Sequence, residues 1–161
     1  MPRRKMKFEK ERYYHITNRG LLKRKLFFNH KDYRRFLERL KYYKRKFDID
    51  IALYCLMPNH YHLIMRPESG DDGLQFIKFL QMSYAKYFNI KYDRKGQTFE
   101  GRYRLELLDS QQYLVNTMKY IINNPIKAGL VEKAEDWPYL SFRESLLSGN
   151  PGVNPGVEIT G

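Results

Sequence analysis

The sequence predicts an α+β fold in which strands and helices follow as strand, helix, strand, strand, helix, strand, helix. Long segments place apolar residues three and four apart, the stripe of an amphipathic helix. Runs of seven or eight residues rich in β-branched and aromatic side chains, set off by turn residues, alternate with them. Two of these runs are separated by only Pro58-Asn59, which marks a hairpin.

Residues 1–11 carry a cluster of Arg and Lys and read as a basic arm leading into the first strand, 12–18, which Arg19-Gly20 ends. Tyr33, Phe36, Leu37, Leu40, Tyr43 and Phe47 form the stripe of the first helix, with Arg and Lys on its other sides. Residues 50–57 read as a buried strand and His60–Arg66 as its hairpin partner. The polar loop from Glu68 to Gly73 offers aspartates to cap a second helix, whose stripe is Leu74, Ile77, Leu80, Tyr84, Tyr87 and Phe88. A basic loop from Tyr92 to Gly101 leads to a strand at 102–108. Asp109 or Ser110 caps a third helix running to about Asn123, where Pro125 stops it. Trp137, Tyr139, Leu140 and Phe142 suit a closing cap on the core. Four strands and two covering helices in βαββαβ order predict a ferredoxin-like four-stranded antiparallel sheet, with helices on one face and the other face free. Residues 12–147 make one domain. Residues 148–161, where Asn-Pro-Gly-Val occurs twice in succession, read as a flexible tail.

Thirty Lys and Arg against eighteen Asp and Glu give a formal charge of +12, alongside fourteen tyrosines and ten phenylalanines. Positive charge with abundant aromatic rings suits a phosphate backbone whose bases stack on side chains. A generic basic protein has the same balance, but basic residues spread along the whole chain fit a nucleic acid better than a membrane surface. No apolar run approaches the length of a membrane span, and a soluble intracellular protein is expected. The single cysteine, Cys55, sits in an apolar run and reads as a small buried hydrophobe.

His60 and His62 are two apart on a predicted strand, so their side chains share a face, about 7 Å apart along the backbone. Tyr61, Leu63 and Met65 point the other way, into the core. Two imidazoles side by side can hold a divalent ion; they can equally be packed or solvated rings. On the third helix, Leu114, Val115, Met118, Ile121 and Ile122 make the core stripe, while Tyr113, Thr117, Tyr120 and Asn124 occupy a separate face. Tyr120 and Asn124 are one turn apart. A phenol with an ordinary pKa near 10 is a poor nucleophile at neutral pH and needs an electrophile polarised by a metal. Imidazole favours Mn²⁺ or Zn²⁺, Mg²⁺ is commoner in cells, and ligand type alone does not choose between them.

Five segments in order carry a family resemblance: Tyr14-His15-Ile16-Thr17-Asn18-Arg19-Gly20, Met57-Pro58-Asn59-His60-Tyr61-His62-Leu63-Ile64, Gly96-Gln97-Thr98-Phe99-Glu100-Gly101-Arg102-Tyr103, Tyr120-Ile121-Ile122-Asn123-Asn124-Pro125-Ile126-Lys127-Ala128-Gly129 and Asp136-Trp137-Pro138-Tyr139. Over residues 12–142 the chain resembles the single-tyrosine HUH transposases and, within them, the REP-associated tyrosine transposases of bacteria. The resemblance implies that His60 and His62 are paired metal ligands, Asn124 the third, and Tyr120 the nucleophile, with Mg²⁺ or Mn²⁺ as cofactor. It implies cleavage and rejoining of hairpin-bearing single-stranded DNA through a 5′-phosphotyrosine, in the bacterial cytoplasm, by a homodimer or a monomer. Ile122 stands where the family commonly has an acidic residue. Arg19, Arg102 and Arg104 lie near segments that the family uses around its DNA. Tyr113, one heptad before Tyr120, is the rival nucleophile. His15 and His30 have no ligand partner in sequence and read as structural or DNA-facing. Two other readings compete: a non-catalytic single-stranded nucleic-acid binder built on an open sheet, and a nicking protein of the replication-initiator or relaxase kind. The first lacks the paired aromatics of an RNP-like run, and the shortness of the chain weighs against large forms of the second.

Overall fold

A computed structural model describes residues 8–69 and 72–148. Most of the basic arm, part of the predicted capping loop before the second helix, and residues 149–161 of the tail lie outside the described residues. The elements are β1 (Tyr14–Arg19), α1 (His30–Lys46), β2 (Ile49–Met57), β3 (His60–Pro67), α2 (Asp72–Lys91), β4 (Arg104–Leu107), α3 (Gln111–Lys127) and β5 (Leu140–Phe142). They build the expected α+β ferredoxin-like sheet, antiparallel throughout, in the order β4-β1-β3-β2-β5.

The apolar stripes act as their spacing predicts. Phe36, Leu37 and Leu40 of α1 and Phe76, Ile77, Leu80 and Tyr84 of α2 are buried against Tyr61, Leu63 and Met65 of β3. Asn29 caps α1, its side chain accepting from the Asp32 amide. At the α1–α2 contact Asp32 is fully buried, and its carboxylate accepts hydrogen bonds from the Phe28 amide at 2.9 Å, Tyr87 Oη at 2.8 Å, Lys91 Nζ at 2.7 Å and the Tyr92 hydroxyl. Burial alone would raise its pKa; the bonds from Lys91, Tyr92, Phe28 and Tyr87 outweigh that and hold it below the ordinary carboxylate range. Removing the carboxylate strands these donors, so Asp32→Ala should lower the unfolding free energy by about 3 kcal/mol at pH 7. A carboxyl with a depressed folded-state pKa stabilises fully above its unfolded pKa and loses that contribution as pH falls through the folded value. Urea unfolding at pH 7 and pH 3 should therefore show the gap between wild type and Asp32→Ala narrowing in acid. An equal gap at both pH values would remove the charge from this account.

Three features depart from the sequence expectation. The predicted closing cap contributes a fifth strand: Leu140–Phe142 pairs with Leu53–Cys55 of β2, and the Leu56 amide donates to the Tyr139 carbonyl at 2.9 Å. Trp137 Nε1 donates to the Leu56 carbonyl at 3.0 Å beside it. The second face of the sheet is not free. Leu114, Met118 and Ile121 of α3 pack there on Leu53, Cys55 and Met57 of β2 and Ile64 of β3, so the helices lie on both faces. The reason is visible in β2, whose near-continuous burial requires cover on both sides. Finally, α3 runs through Pro125 to Lys127. Proline removes one backbone donor near the helix end, where its buried ring is tolerated. Gly129, at φ 75°, is the true stop: its amide donates to Ile126 and that of Leu130 to Pro125, a Schellman closure.

Candidate active site

Pairing register builds the second face row by row, because side chains opposite one another on neighbouring strands share a side. Thr17 of β1 is opposite His62 of β3 and Arg104 of β4, and His62 is opposite Cys55 of β2. One row away, His15 is opposite Ile64 and Glu106; one row the other way, Arg19 is opposite His60. Leu53, Cys55 and Met57 fall on the same side, under α3. The face is therefore apolar across β2 and β5 and polar across β1 and β4. The histidines of β3 stand on the border.

His60 and His62 project from that one face, as their spacing predicts, with ring centroids 5.0 Å apart and planes nearly perpendicular. Tyr61 between them is fully buried in the opposite core. Asn59, in the hairpin turn, holds His60 by its Nδ1 at 2.8 Å from the amide oxygen. His62 is nearly buried at 6 % exposure, and its Nδ1 lies 2.9 Å from Nε2 of His15. The His15 and His62 planes differ by only 21°, with centroids 5.1 Å apart, an edge-to-edge hydrogen bond in almost one plane rather than a stack. The other nitrogen of His62, Nε2, is buried and has no hydrogen-bond partner among the described residues. Burial lowers the pKa of His60, and lowers that of His62 strongly, where the neighbouring His60 and His15 add to it. Burial also lowers His15, against an opposing pull from Glu106. Neutral imidazoles at physiological pH are lone-pair donors, the form that ligates metals.

Tyr120 is 58 % exposed on α3 and lines a cleft of about 570 Å³ together with His15, Glu106, Tyr113 and Thr117. Its phenol thus reaches solvent beside the ring that touches His62, while Met118 and Ile121, two residues before and one after it, are fully buried and fix the helix. Asn124 is half-buried one turn further on. Tyr113 shares the cleft, but its hydroxyl donates to the Glu106 carboxylate, and that bond, with some burial and the charges of Glu106 and Asp109, raises its pKa. The bond to Glu106 distinguishes the Tyr113 hydroxyl from that of Tyr120 in the same cleft.

The arginines divide. Arg104 and Arg19 belong to the histidine face by register, and Arg19 is paired with Glu100. Arg102 instead lines a separate cleft of about 540 Å³ with Gln81 and Met82 of α2. His30 is remote, its Nδ1 2.9 Å from the Tyr139 hydroxyl. Sequence reasoning missed two members, His15 and Glu106. The alternation of His15, Thr17 and Arg19 put His15 on one side of its strand, but only the β1–β3 register brings that side to His62. Among the described residues no three His, Cys, Asp or Glu side chains converge as a metal cluster, so any complete ligand set needs another donor type. No helix among them is long and apolar enough to cross a membrane.

The histidine pair of β3 and the exposed Tyr120 of α3 are linked through His15, which touches His62 and lines the Tyr120 cleft. Residues 9–124 match the family model described as Transposase IS200 like, and the chain belongs to that family. A protein of Haemophilus influenzae named as a REP-associated tyrosine transposase is 28 % identical over 129 residues, covering 71 % of this chain and 73 % of that one. The REP-associated tyrosine transposase of Escherichia coli is 22 % identical over 118 residues, 73 % of this chain and 68 % of its own. A solved REP-associated tyrosine transposase bound to a REP hairpin superposes with a TM-score of 0.73 at 20 % identity, over 92 % of this chain and 87 % of that one. The chain is thus a transposase-family protein that acts on DNA and is similar to the REP-associated tyrosine group.

Proposed function

We propose that this protein cleaves and rejoins single-stranded DNA next to a hairpin, with Tyr120 as nucleophile and a divalent ion, Mg²⁺ or Mn²⁺, held by His60, His62 and Asn124. The observation that carries the reading is the bare, buried Nε2 of His62 beside the His60 ring: a polar atom left without a partner in a protein interior is costly unless a ligand completes it. Two neutral imidazoles and an amide oxygen fit a catalytic ion with open positions. Such an ion supplies charge stabilisation at the scissile phosphate.

The residues do the rest. Tyr120 Oη attacks the phosphorus; the new bond is phenolic O–P, and the bond that breaks is P–O3′. The phenolic proton departs and the released 3′-oxygen takes one up, leaving a 5′-phosphotyrosine and a free 3′-hydroxyl. Rejoining runs the exchange backwards, with an incoming 3′-hydroxyl as nucleophile and Tyr120 as leaving group, so no high-energy cofactor is consumed. Arg104 and Arg19, on the same face by register, would supply cationic contacts to the DNA backbone. The hairpin partner rests on the relative that was solved with a REP hairpin. A non-catalytic open-sheet binder is the weaker reading, because α3 covers the β2 and β5 half of the face on which bases would stack.

The test is direct. The protein is incubated with hairpin-bearing single-stranded DNA and Mn²⁺ or Mg²⁺, and a nucleotide adduct on the Tyr120 peptide is sought by mass spectrometry. An adduct on Tyr113 or none at all would overturn the assignment. With a chain charge of +12, affinity for the DNA should also fall with salt, with a log–log slope of about −0.7 per phosphate neutralised. A flat salt titration by fluorescence anisotropy would count against a phosphate-backbone partner.

A further inference from the structure

The contact between His15 and His62 is explained neither by the packing of β1 nor by the proposed chemistry, and it extends further. His15 Nδ1 faces the Glu106 carboxylate at 3.7 Å, and the other oxygen of that carboxylate accepts from the Tyr113 hydroxyl. Four side chains from four elements, α3, β4, β1 and β3, thus form one row: Tyr113, Glu106, His15, His62.

Only one arrangement of protons satisfies the row. A neutral imidazole carries a single N–H. An N–H on the buried Nε2 of His62 would be a donor without an acceptor, so the proton belongs on Nδ1, where it donates to His15 Nε2. His15 must then accept with Nε2 and carry its own proton on Nδ1. That proton points at Glu106, an acceptor-only carboxylate when ionised. Tyr113 closes the far end by donating to Glu106. The His62 and Tyr113 donors have acceptors in hydrogen-bond contact, the His15 proton faces the Glu106 carboxylate at 3.7 Å, and the lone pair left over is His62 Nε2. His60 repeats the logic on a smaller scale, since the Asn59 amide oxygen takes the Nδ1 proton and leaves Nε2 as the lone pair.

We propose that His15, backed by Glu106, is a positioning residue that locks His62 in the Nδ1–H form and leaves its Nε2 lone pair free for ligation. The consequence for affinity rests on His62 being a metal ligand; the tautomer does not. Outer partners of ligating histidines set ring orientation and basicity, and their loss costs 10- to 100-fold in metal affinity. A side chain that merely fills space at position 15 would have neither effect.

The experiment uses the full chain, free of DNA and metal, labelled with ¹⁵N on its histidines, at neutral pH. Long-range ¹H–¹⁵N correlation spectra should report His62 in the Nδ1–H form in wild type. The His15→Ala variant should move His62 toward Nε2–H and weaken Mn²⁺ binding, measured calorimetrically, by about 10- to 100-fold. His15→Gln, whose amide oxygen can accept the same proton, should restore the Nδ1–H form and most of the affinity. Should His15→Ala fail to fold, by circular dichroism, the wild-type tautomer and the Gln variant decide the matter. A wild-type His62 in the Nε2–H form overturns the proposal, as does a folded His15→Ala variant with unchanged tautomer and Mn²⁺ affinity. His60→Ala run in parallel separates the two readings. If it leaves Mn²⁺ affinity untouched, the metal reading falls while the tautomer still tests His15; if it abolishes affinity and His15→Ala does not weaken it, only the positioning role is lost.

Discussion

Tyr120→Phe will abolish cleavage of a hairpin-bearing single strand, by at least about 10⁴-fold, and leave binding of that strand within about twofold of wild type. The substitution removes one oxygen and nothing else. At 58 % exposure the ring supports no core contact that the phenylalanine would disturb, and the stripe that anchors α3 is carried by Leu114, Met118 and Ile121. Stability should therefore stay within about 0.5 kcal/mol, as for other exposed positions. The contrast with Tyr113→Phe is informative, since Tyr113 sits in the same cleft with its hydroxyl given to Glu106. Gel-resolved cleavage and anisotropy binding on the same DNA measure both quantities. Retained cleavage by Tyr120→Phe moves the nucleophile elsewhere and ends the mechanism proposed for this site.

The second large effect concerns the imidazoles. His60→Ala and His62→Ala should each reduce metal-dependent cleavage by about 10²-fold or more, and excess chelator should do the same to wild type, reversed by added Mn²⁺. The two variants should differ in their side effects. His62 is buried and bonded to His15, so its loss opens a cavity beside a polar group; His60 is half-buried and hydrogen-bonded to Asn59. His62→Ala should thus lower the midpoint of thermal unfolding as well as activity, and His60→Ala mainly activity. Undiminished cleavage in chelator would falsify the metal's part in the reaction.

Much of this was legible in the sequence, for definite reasons. Stripes such as Phe36, Leu37 and Leu40 in α1, or Ile77, Leu80 and Tyr84 in α2, fix helix faces through spacing alone. The hairpin around Pro58-Asn59 fixes its own register because two residues leave little choice. The histidine pair needed only strand alternation. What escaped depends on contacts between distant segments. The cover that α3 gives the second face was foreshadowed by the unbroken apolar run of β2, but which helix provides it is a matter of tertiary placement. The Leu140–Phe142 segment is three residues long, too short for any periodicity to separate a strand from a cap. Pro125 is the stronger breaker in sequence, yet a proline near the end of a helix costs a single bond, and Gly129 with its Schellman closure set the boundary. The His15–His62 contact joins residues forty-seven positions apart, which no local rule reaches.

The strand that bears the imidazoles is the middle one of five, hydrogen-bonded along both flanks, whereas Tyr120 rides on a helix docked along one face by Leu114, Met118 and Ile121, with Ile122 packed beside them. Backbone amides of β3 will be among the last in the molecule to exchange with deuterium, and those of α3 will follow a lower-energy opening of their own. The architecture thereby joins a stiff anvil, the central strand, to a more compliant arm, the helix that carries Tyr120.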